Sequence, residues 1–506
     1  MVSRRQVETE RTYDVPEELT VLPDVVAATD GAIASVTDVG TDDLEATYVD
    51  TDDLRLIGRR VTLRRRTGGP DAGWHLKLPV KGDTRQEIHW PLGDGADVPD
   101  DVRVAVTALA AGSVLRPVVR LATSRRRRLL SDQAGVALAE LLDDQVSATM
   151  LDGTSAVTVW REIEVELIDG TPAHLDAVEA ALMRAGAQRA AVSSKLARAL
   201  AGHPALVDGR PLGSGTAGDV LLAYVREQAD RLRWADVDLR LDPDGEGVHD
   251  MRVQARRLRT ALRVNRPLVE QTVGRHLEQE LQLLGRVLSP VRDHQVSHDL
   301  MAARARSLAP DREARLLSLF ENHRASADER SVSGMQAALG AGRYLRLLQD
   351  LDGLAAGQGL TGLAAEPAGP VLAAHVRTAL RRLGKAAKAV RRATPAERSD
   401  RLHDLRKSAK TLRYACEVAE PVHGPSAQLL GQRAKALQTL LGDHLDRVLL
   451  AEQLEPLTHA KGATAGDGFL LGSLYGELST EISAGSKKQA RALRRVRSQK
   501  ATAWLH

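Results

Sequence analysis

Charged residues recur at alternate positions in the first third of the chain, a spacing that places them on one face of a β-strand. Glu8 and Glu10 form one such pair, and Arg64 and Arg66 form another. Clustered carboxylates bind hard divalent cations, whereas arginines bind phosphate oxygens. The spacing allows two interpretations, the solvated face of an antiparallel sheet or a closed sheet whose charged interior holds a metal ion and a polyanion. The further sets are His75 with Lys77, Arg85 with Glu87, and Glu162 with Glu164 and Glu166.

Basic residues in the second half recur every three or four positions, which on a helix gathers them on one face. The first basic face contains His249, Arg252, Arg256, Arg259 and Arg263. The pattern returns 154 residues later in a second basic face, which contains His403, Arg406, Lys410 and Arg413. Like charges one turn apart destabilise a helix by roughly 0.2–0.5 kcal/mol per pair. A solvated face usually mixes charge signs, so the duplication favours an anion-binding groove, although each histidine also fits the edge of a core.

A third helical stretch, 375–392, also gathers basic residues on one face. Net charge follows the same division, since residues 1–250 carry −13 and residues 251–506 carry +16. This asymmetry predicts a polyanionic partner for the second half. The cations are 58 arginines and 12 lysines. Arginine suits bidentate phosphate contacts, but a GC-rich bacterial genome would produce the same bias.

The composition also indicates the cellular compartment in which the protein is found. The 506 residues include a single cysteine, Cys416, so no intramolecular disulfide can form. The N-terminus lacks the apolar segment of a signal peptide, and no apolar stretch approaches the ~20 residues that span a bilayer. These features predict a cytoplasmic protein without a membrane segment.

Alternating patterns separated by glycine-rich turns predict strands up to about residue 170, and hence an antiparallel sandwich or barrel. Helical patterns interrupt them at 134–142 and 173–200. From Asp219 onward the pattern is one of long amphipathic helices, interrupted by a segment rich in glycine and alanine at 351–370. The predicted strands are 7–15, 54–66, 74–78, 85–90, 119–129 and 157–167.

These patterns predict a multidomain α+β protein, in which an antiparallel β-barrel precedes an all-α pair of helical bundles. The first domain is expected at 3–202, followed by a linker at 203–218. The helical domain is expected at 219–506, with two similar halves at 219–350 and 371–506. The repeat is too long for a solenoid unit, so each half is expected to be a separate bundle.

Three helical segments resemble the conserved histidine α-helical domain, CHAD. The segments are VHDMRVQARRLRTALR (248–263), LLGRVLSPVRDHQV (283–296) and LHDLRKSAKTLRYACE (402–417). The likeness covers roughly residues 216–506 and implies paired four-helix bundles that bind inorganic polyphosphate in a basic groove. By that resemblance, the nine residues of the two basic faces line the groove and have no catalytic role.

An ordered series of short motifs over about residues 3–200 resembles the CYTH family, also called triphosphate tunnel metalloenzymes. The motifs are ETE (8–10), YVDT (48–51), LRRR (63–66), WHLKL (74–78), RQE (85–87), WREIEVEL (160–167) and SKL (194–196). The resemblance implies a β-barrel of the triphosphate tunnel type that uses Mg²⁺ or Mn²⁺. The implied catalytic residues are Glu8, Glu10 and Lys77, the implied metal ligands are Glu8, Glu10, Glu162 and Glu164, and the implied phosphate contacts are Arg64, Arg66, Arg120 and Arg125.

The opening motif departs from the family pattern Glu-x-Glu-x-Lys, because Thr12 stands in the lysine position. Arg11 is adjacent but belongs to the opposite face of the strand. A missing cation should weaken binding of a triphosphate or of its transition state. Binding without hydrolysis therefore remains an alternative.

The leading hypothesis is a metal-dependent tripolyphosphate hydrolase joined to a polyphosphate-binding domain, associated in the cell with polyphosphate granules. The main alternative is a non-enzymatic polyphosphate-binding or scaffold protein with a silent barrel. Nucleic-acid binding is disfavoured, since the basic helices carry almost no aromatics for base stacking and no reader motif is present. Adenylate cyclase and thiamine triphosphatase activities also occur among CYTH relatives, and nothing in the sequence selects between them.

Overall fold

The computed structural model describes residues 4–505, except 94, 96, 193, 208–214, 244, 307, 460–462 and 485. The chain divides into two compact units, Met1–Arg210 and Pro211–His506. The first unit is an antiparallel sheet with short helices, and the second is helical. The predicted fold class is confirmed.

Nine strands form the sheet of the first unit. They are β1 (Arg4–Asp14), β2 (Ser35–Asp50), β3 (Thr62–Thr67), β4 (Gly73–Lys81), β5 (Thr84–Pro91), β6 (Arg116–Ser131), β7 (Ala137–Met150), β8 (Val157–Leu167) and β9 (Gln188–Arg189). Their order is β5-β4-β3-β2-β6-β7-β8-β1-β9, and β1 also pairs with β5. Eight strands therefore close into a ring, and successive residues of each strand face its interior and exterior in turn.

Short helices lie on the outside and at one end of the ring. They are α1 (Val25–Ala28), α2 (Asp100–Ala110), α3 (Pro172–Arg184), α4 (Lys195–Ala199) and α5 (Pro204–Val207). Leu175, Val178 and Leu182 of α3 pack against buried residues of β1, β7 and β8. At the start of α4, the Ser194 hydroxyl accepts a hydrogen bond from the Ala197 amide, which fixes the direction in which Lys195 enters the ring.

The helix predicted at 134–142 was wrong, because residues 137–142 belong to strand β7 and residues 134–136 lie in the turn before it. Leu138, Ala139, Leu141 and Leu142 are all buried, since both faces of β7 are covered at this point. A strand that is buried on both faces loses the polar-apolar alternation that identifies it. Strand β2 was not predicted, because its first half is exposed and polar.

The second unit consists of ten α-helices in the part of the chain that the structure describes. They are α6 (Ala217–Leu241), α7 (Gly247–Val264), α8 (Gln271–Ala305), α9 (Pro310–Gly340), α10 (Gly342–Ala355), α11 (Ala368–Arg392), α12 (Arg398–Leu457), α13 (Ala465–Ala484), α14 (Ser486–Val496) and α15 (Gln499–Thr502). Across the described residues, none of the helices is both long enough and apolar enough to cross a membrane.

Helix α12 reverses direction at Gly424, whose φ of 48° and ψ of −131° lie outside the helical region. A Cβ atom at Gly442 would lie 2.9 Å from Nη2 of Arg406, so the two halves of α12 pack against each other as a hairpin. The first half, 398–423, also faces α7, where the Arg263 guanidinium donates to the Thr411 hydroxyl at 3.1 Å. This packing brings the two repeated basic faces together.

Candidate functional sites

The interior of the ring contains a cavity of about 240 Å³, which we call the tunnel. Its lining comes from β1 to β8 and from α4, and nearly all of it is polar or charged. Glu8 and Glu10 face inward together, as do Arg64 and Arg66. The alternating charges therefore belong to a closed interior rather than to a solvated face.

One wall of the tunnel, the basic wall, consists of Arg64, Arg66 and Arg125. The Nε atoms of Arg64 and Arg66 are buried and have no hydrogen-bond acceptor among the described residues. Arg64 does donate through Nη1 to the Tyr48 hydroxyl at 3.2 Å, and Arg66 contacts the carboxylate of Asp71. Burial and the neighbouring guanidiniums lower the pKa of Arg66 to about 9. Buried cationic donors without acceptors favour an anionic ligand.

The adjoining part of the lining, the acidic wall, is built around the ammonium group of Lys77 on β4, the strand next to β3. This nitrogen lies 2.8 Å from a carboxylate oxygen of Glu8, 3.3 Å from Glu10 and 3.6 Å from Glu87. The acidic wall meets the basic wall at Glu87, whose carboxylate lies 3.8 Å from Arg64. The buried ring of His75 holds Glu87 in place, with Nδ1 at 2.6 Å from its carboxylate. A single lysine is thus shared between three carboxylates.

Carboxylates on the acidic wall are only partly compensated by nearby cations. Glu10 and Glu166 lie directly opposite each other in the register of β1 and β8, and Arg85 approaches Glu10 at 3.5 Å. Burial raises the pKa of Glu8 to about 8 and that of Glu166 to about 7. The acidic wall therefore has uncompensated negative charge and carboxylate oxygen ligands, both of which suit a divalent cation.

A second group of carboxylates lies at the end of the tunnel near α4. Oxygens of Asp144, Glu162 and Glu164 lie within 4.8 Å of one another, close enough to hold one metal ion. The ammonium nitrogen of Lys195 lies among them, at 2.9, 2.6 and 2.7 Å respectively. Arg125 contacts Asp144 at 2.6 Å and Glu164 at 2.7 Å. A lysine thus takes the place of a metal ion at this group, which we call the Lys195 cluster.

Thr12 is buried and lies opposite Glu164 in the strand register. Its hydroxyl oxygen is buried without a hydrogen-bond partner among the residues that the structure describes. Arg11 faces outward, where its guanidinium contacts Asp83 at 3.1 Å and Asp176 at 2.8 Å. The arginine next to Thr12 therefore does not supply the cation that the family pattern places in the tunnel.

Helices α7, α8 and the first half of α12 enclose a cavity of about 440 Å³, which we call the basic groove. Its described lining includes no aspartate or glutamate. The basic residues of the lining are Arg252, Arg256, Arg259, Arg263, Arg286, His403, Arg406, Lys407 and Lys410. In contrast to the tunnel, the groove gathers positive charge without carboxylates along its surface.

Neutral groups hold several of these arginines in position. Arg256 donates to a tyrosine hydroxyl at 3.3 Å, and Arg259 donates to a glutamine amide on α8 at 2.7 Å. At the rim, Arg252 does contact a carboxylate, that of Asp293, at 2.8 Å. Neutral partners orient a guanidinium but leave its charge uncompensated, as a polyanion site requires.

Comparison with known proteins agrees with this division. The CYTH domain matches residues 22–199, and the CHAD domain matches residues 223–455. An uncharacterized protein of Mycobacterium tuberculosis, Rv2226, is 34% identical over 530 residues, which cover 97% of this chain and 98% of that protein. The chain belongs to the CYTH–CHAD family.

Solved structures resemble parts of this CYTH–CHAD protein. PptA from Streptomyces chartreusis is 22% identical, with a TM-score of 0.47, and the match covers 56% of this chain and 100% of that one. The CHAD domain from the plant Ricinus communis is 21% identical, with a TM-score of 0.42, and covers 55% and 92%. Each match spans little more than half of this chain.

Most of the residues predicted for the CYTH site lie in the tunnel, but two do not line it. Arg120 is exposed on β6, and it lies an odd number of positions from Arg125, so the two point to opposite faces. Arg120 is therefore withdrawn as a phosphate contact. Glu162 lies behind the tunnel surface, where it contacts Lys195 and accepts a hydrogen bond from Trp160 Nε1 at 2.6 Å.

Several charged residues of the CYTH site were not predicted as functional, and four of them belong to the acidic wall or to the Lys195 cluster. These four are Glu87, Asp144, Glu166 and Lys195. Glu87 and Glu166 belong to alternating sets that the sequence does reveal, so extending those sets would have found them. Lys195 lies on a short helix, and no periodic pattern indicates that it enters the ring.

Seven of the nine residues predicted for the CHAD groove line it, whereas His249 and Arg413 do not. Arg413 instead pairs with Glu417 at 2.8 Å. His249 is half-buried, and its pKa is lowered by burial and by the charge of Arg292. Arg286 and Lys407 line the groove without having been predicted, although they fall within the CHAD-like segments 283–296 and 402–417.

Lys410 lies at the centre of the CHAD groove among other cations. Burial lowers its pKa to about 7, and the charges of Arg256, Arg406 and Arg252 add to the effect. The carboxylate of Asp446, on the second half of α12, acts in the opposite direction. The lysine is therefore only partly charged at neutral pH.

Proposed function

We propose that the CYTH unit is a metal-dependent hydrolase of tripolyphosphate or a related triphosphate, and that the CHAD unit binds inorganic polyphosphate. The division of the tunnel into a basic wall and an acidic wall supports the proposed hydrolase activity. The basic wall has buried guanidinium donors without acceptors, and the acidic wall has more carboxylates than neighbouring cations. A triphosphate together with a divalent cation would complement both walls.

The acidic wall offers the better fit for Mg²⁺ or Mn²⁺. Glu8, Glu10 and Glu166 would supply the oxygen ligands that these cations prefer. Among the described residues, Lys77 and Arg85 contact two of these carboxylates. The Lys195 cluster also has suitable ligands, but there an ion would have to displace an ammonium group. A bound divalent cation would neutralise phosphate charge as a Lewis acid.

The residues of the chain itself would then bind and orient the substrate. Arg64, Arg66 and Arg125 would donate to the phosphate oxygens and stabilise the charge that spreads over the transferred phosphoryl group. Carboxylates of the acidic wall would orient the attacking water. Inside the ring these interactions would be less screened by solvent than at the protein surface, and hence stronger.

Purified protein with Mg²⁺ should release phosphate from tripolyphosphate, and Glu8→Ala should lower kcat/KM about a hundredfold, the effect expected when one transition-state interaction is lost. The measurement is a phosphate-release assay over pyrophosphate, tripolyphosphate, ATP and thiamine triphosphate, with Mg²⁺ and with Mn²⁺. The matched control is Glu18→Ala, which removes an exposed carboxylate outside the tunnel. Equal rates in all three proteins would contradict the proposed role of the tunnel.

The alternative, a non-enzymatic protein with a silent barrel, has one specific observation in its favour. Thr12 replaces the lysine of the family pattern, and Arg11 faces outward, so the cation expected beside Glu164 is absent from this strand. Tripolyphosphate binding by calorimetry, without phosphate release under any of the tested conditions, would support this alternative.

The groove supports the polyphosphate-binding part of the proposal. Its lining gathers cations from α7, α8 and the first half of α12, and its described lining residues include no carboxylate. Binding there would hold the protein on polyphosphate, including polyphosphate granules in the cell. Tethering of the two units in one chain would raise the local concentration of substrate for the tunnel.

Polyphosphate binding should weaken as pH rises above 7. A bound polyanion favours the charged form of Lys410, so binding above the free pKa of about 7 requires uptake of a proton. Below pH 7 the lysine is charged in both states and contributes no pH dependence. Between pH 6.5 and 8.5 this single group predicts a loss of affinity of about twentyfold.

The measurement is the dissociation constant of long-chain polyphosphate at constant ionic strength across this pH range. Lys410→Arg is the control, because arginine stays protonated throughout, and it should keep its affinity at pH 8.5. His403, whose pKa is lowered by burial and by Lys407, Arg406 and Lys410, is present in both proteins, so the pH dependence that it adds is common to the two profiles. Parallel profiles for the wild type and Lys410→Arg would contradict the prediction.

A further inference from the structure

A third cavity, of about 680 Å³, lies between α11, the first turns of α12 and α14. It is separate from the basic groove, since the two share no lining residue. Leu402 and Leu405 form part of its floor and are buried, and Leu493 adds a half-buried side. Cavities of this size with an apolar floor fit a small organic ligand.

Four arginines surround this apolar floor. They are Arg391 on α11, Arg398 on α12, Arg494 on α14 and Arg497 after it. All four are exposed, and among the described residues none of them forms an ion pair with a carboxylate. The described lining of the cavity also includes no aspartate or glutamate. The positive charge at the rim is complementary to an anionic group, and the apolar floor is complementary to a hydrocarbon chain. The cavity therefore suits an anion that carries an apolar chain.

Gln489 supplies a second, independent observation. Its side chain lines the cavity and is 9% exposed. The amide nitrogen, Nε2, is buried and has no hydrogen-bond acceptor among the described residues. A buried donor without a partner is unusual in a folded protein, and an oxygen of an anionic head group would satisfy it.

The geometry points to a binding site for a single-chain alkyl anion, that is, a carboxylate or phosphate monoester with one acyl or alkyl tail. The tail would lie against the half-buried Val390 and Leu493, and the head group would lie between the arginines of α11 and α14. Inorganic phosphate and polyphosphate lack the tail and would leave this apolar side of the cavity uncovered. The proposed ligand therefore differs from the polyanion proposed for the basic groove, and its binding does not require the groove.

The test is calorimetric titration of the full chain with dodecyl phosphate and with dodecanoate, below the concentrations at which they form micelles. One equivalent should bind, and the double variant Arg391→Glu with Arg494→Glu should weaken affinity at least about tenfold, because two charge-assisted contacts are lost. The control is Arg392→Glu with Arg491→Glu. It makes the same charge change on the same two helices at exposed positions outside the cavity, and it should change affinity less than about twofold.

Saturating polyphosphate should leave dodecyl phosphate binding unchanged, and displacement would overturn the proposal by assigning the ligand to the basic groove. Equal loss in the two double variants would overturn it as well, since net charge alone would then explain binding. Sedimentation with phosphatidylglycerol vesicles distinguishes free alkyl anions from bilayer lipids. Strong vesicle binding without monomer binding, or binding only of an acidic helical peptide, would also reject a site for free alkyl anions.

Discussion

Reversing two charges at the centre of the basic groove, with Arg256→Glu and Lys410→Glu together, should weaken polyphosphate binding about a thousandfold at low salt. Each side chain is expected to make a charge-assisted hydrogen bond to phosphate, and two such losses account for this magnitude. Binding should also depend less on salt, because about two fewer counterions are released per complex. Fluorescence anisotropy of labelled polyphosphate over a range of salt concentrations measures both effects.

The matched control for this experiment is Arg381→Glu with Lys388→Glu, which changes two exposed residues of α11 by the same charge. These residues do not line the groove, so affinity should fall only slightly, through long-range electrostatics. Equal losses in the two variants would mean that net charge, and not the groove, binds the polyanion. A bound RNA or DNA that polyphosphate fails to displace would instead favour nucleic-acid binding.

Replacing Lys195 by methionine should destabilise the CYTH unit by about 3–5 kcal/mol, because the change leaves buried carboxylates without their ammonium partner. Lys195 contacts Asp144, Glu162 and Glu164 at 2.6–2.9 Å and is itself buried. A loss of this size corresponds to a fall in Tm of about 10 °C for a unit of this length. Differential scanning calorimetry of the full chain measures it, with the exposed Lys81→Met as the control.

Divalent metal should restore much of the stability lost in Lys195→Met. The three carboxylates lie within 4.8 Å of one another, so removal of the ammonium leaves a group that can hold Mn²⁺ instead. Millimolar Mn²⁺ should raise the Tm of the variant by several degrees more than that of the wild type. An unchanged Tm on substitution would show that Lys195 does not compensate the cluster, and a loss without recovery would show that the cluster does not accept a metal.

Strand and helix periodicity predicted a large part of both sites. Alternation placed Glu8 with Glu10 and Arg64 with Arg66, and all four line the tunnel. Arg120, which the family resemblance implied as a phosphate contact, lies instead on the outer face of β6. Helical spacing likewise gathered most of the groove residues. Arg413 met the spacing but lies beyond the groove, beside Glu417.

The amino-acid sequence by itself determined which side chains share a face, because that property depends only on the local repeat of the backbone. Closure of the ring through β1 and β5 decided which face became the interior. Tertiary structure also decided that Lys77 compensates Glu8 while Lys195 enters the cluster of Asp144. Such pairings join residues far apart along the chain, and their strength depends on distance and burial, which a linear pattern does not contain.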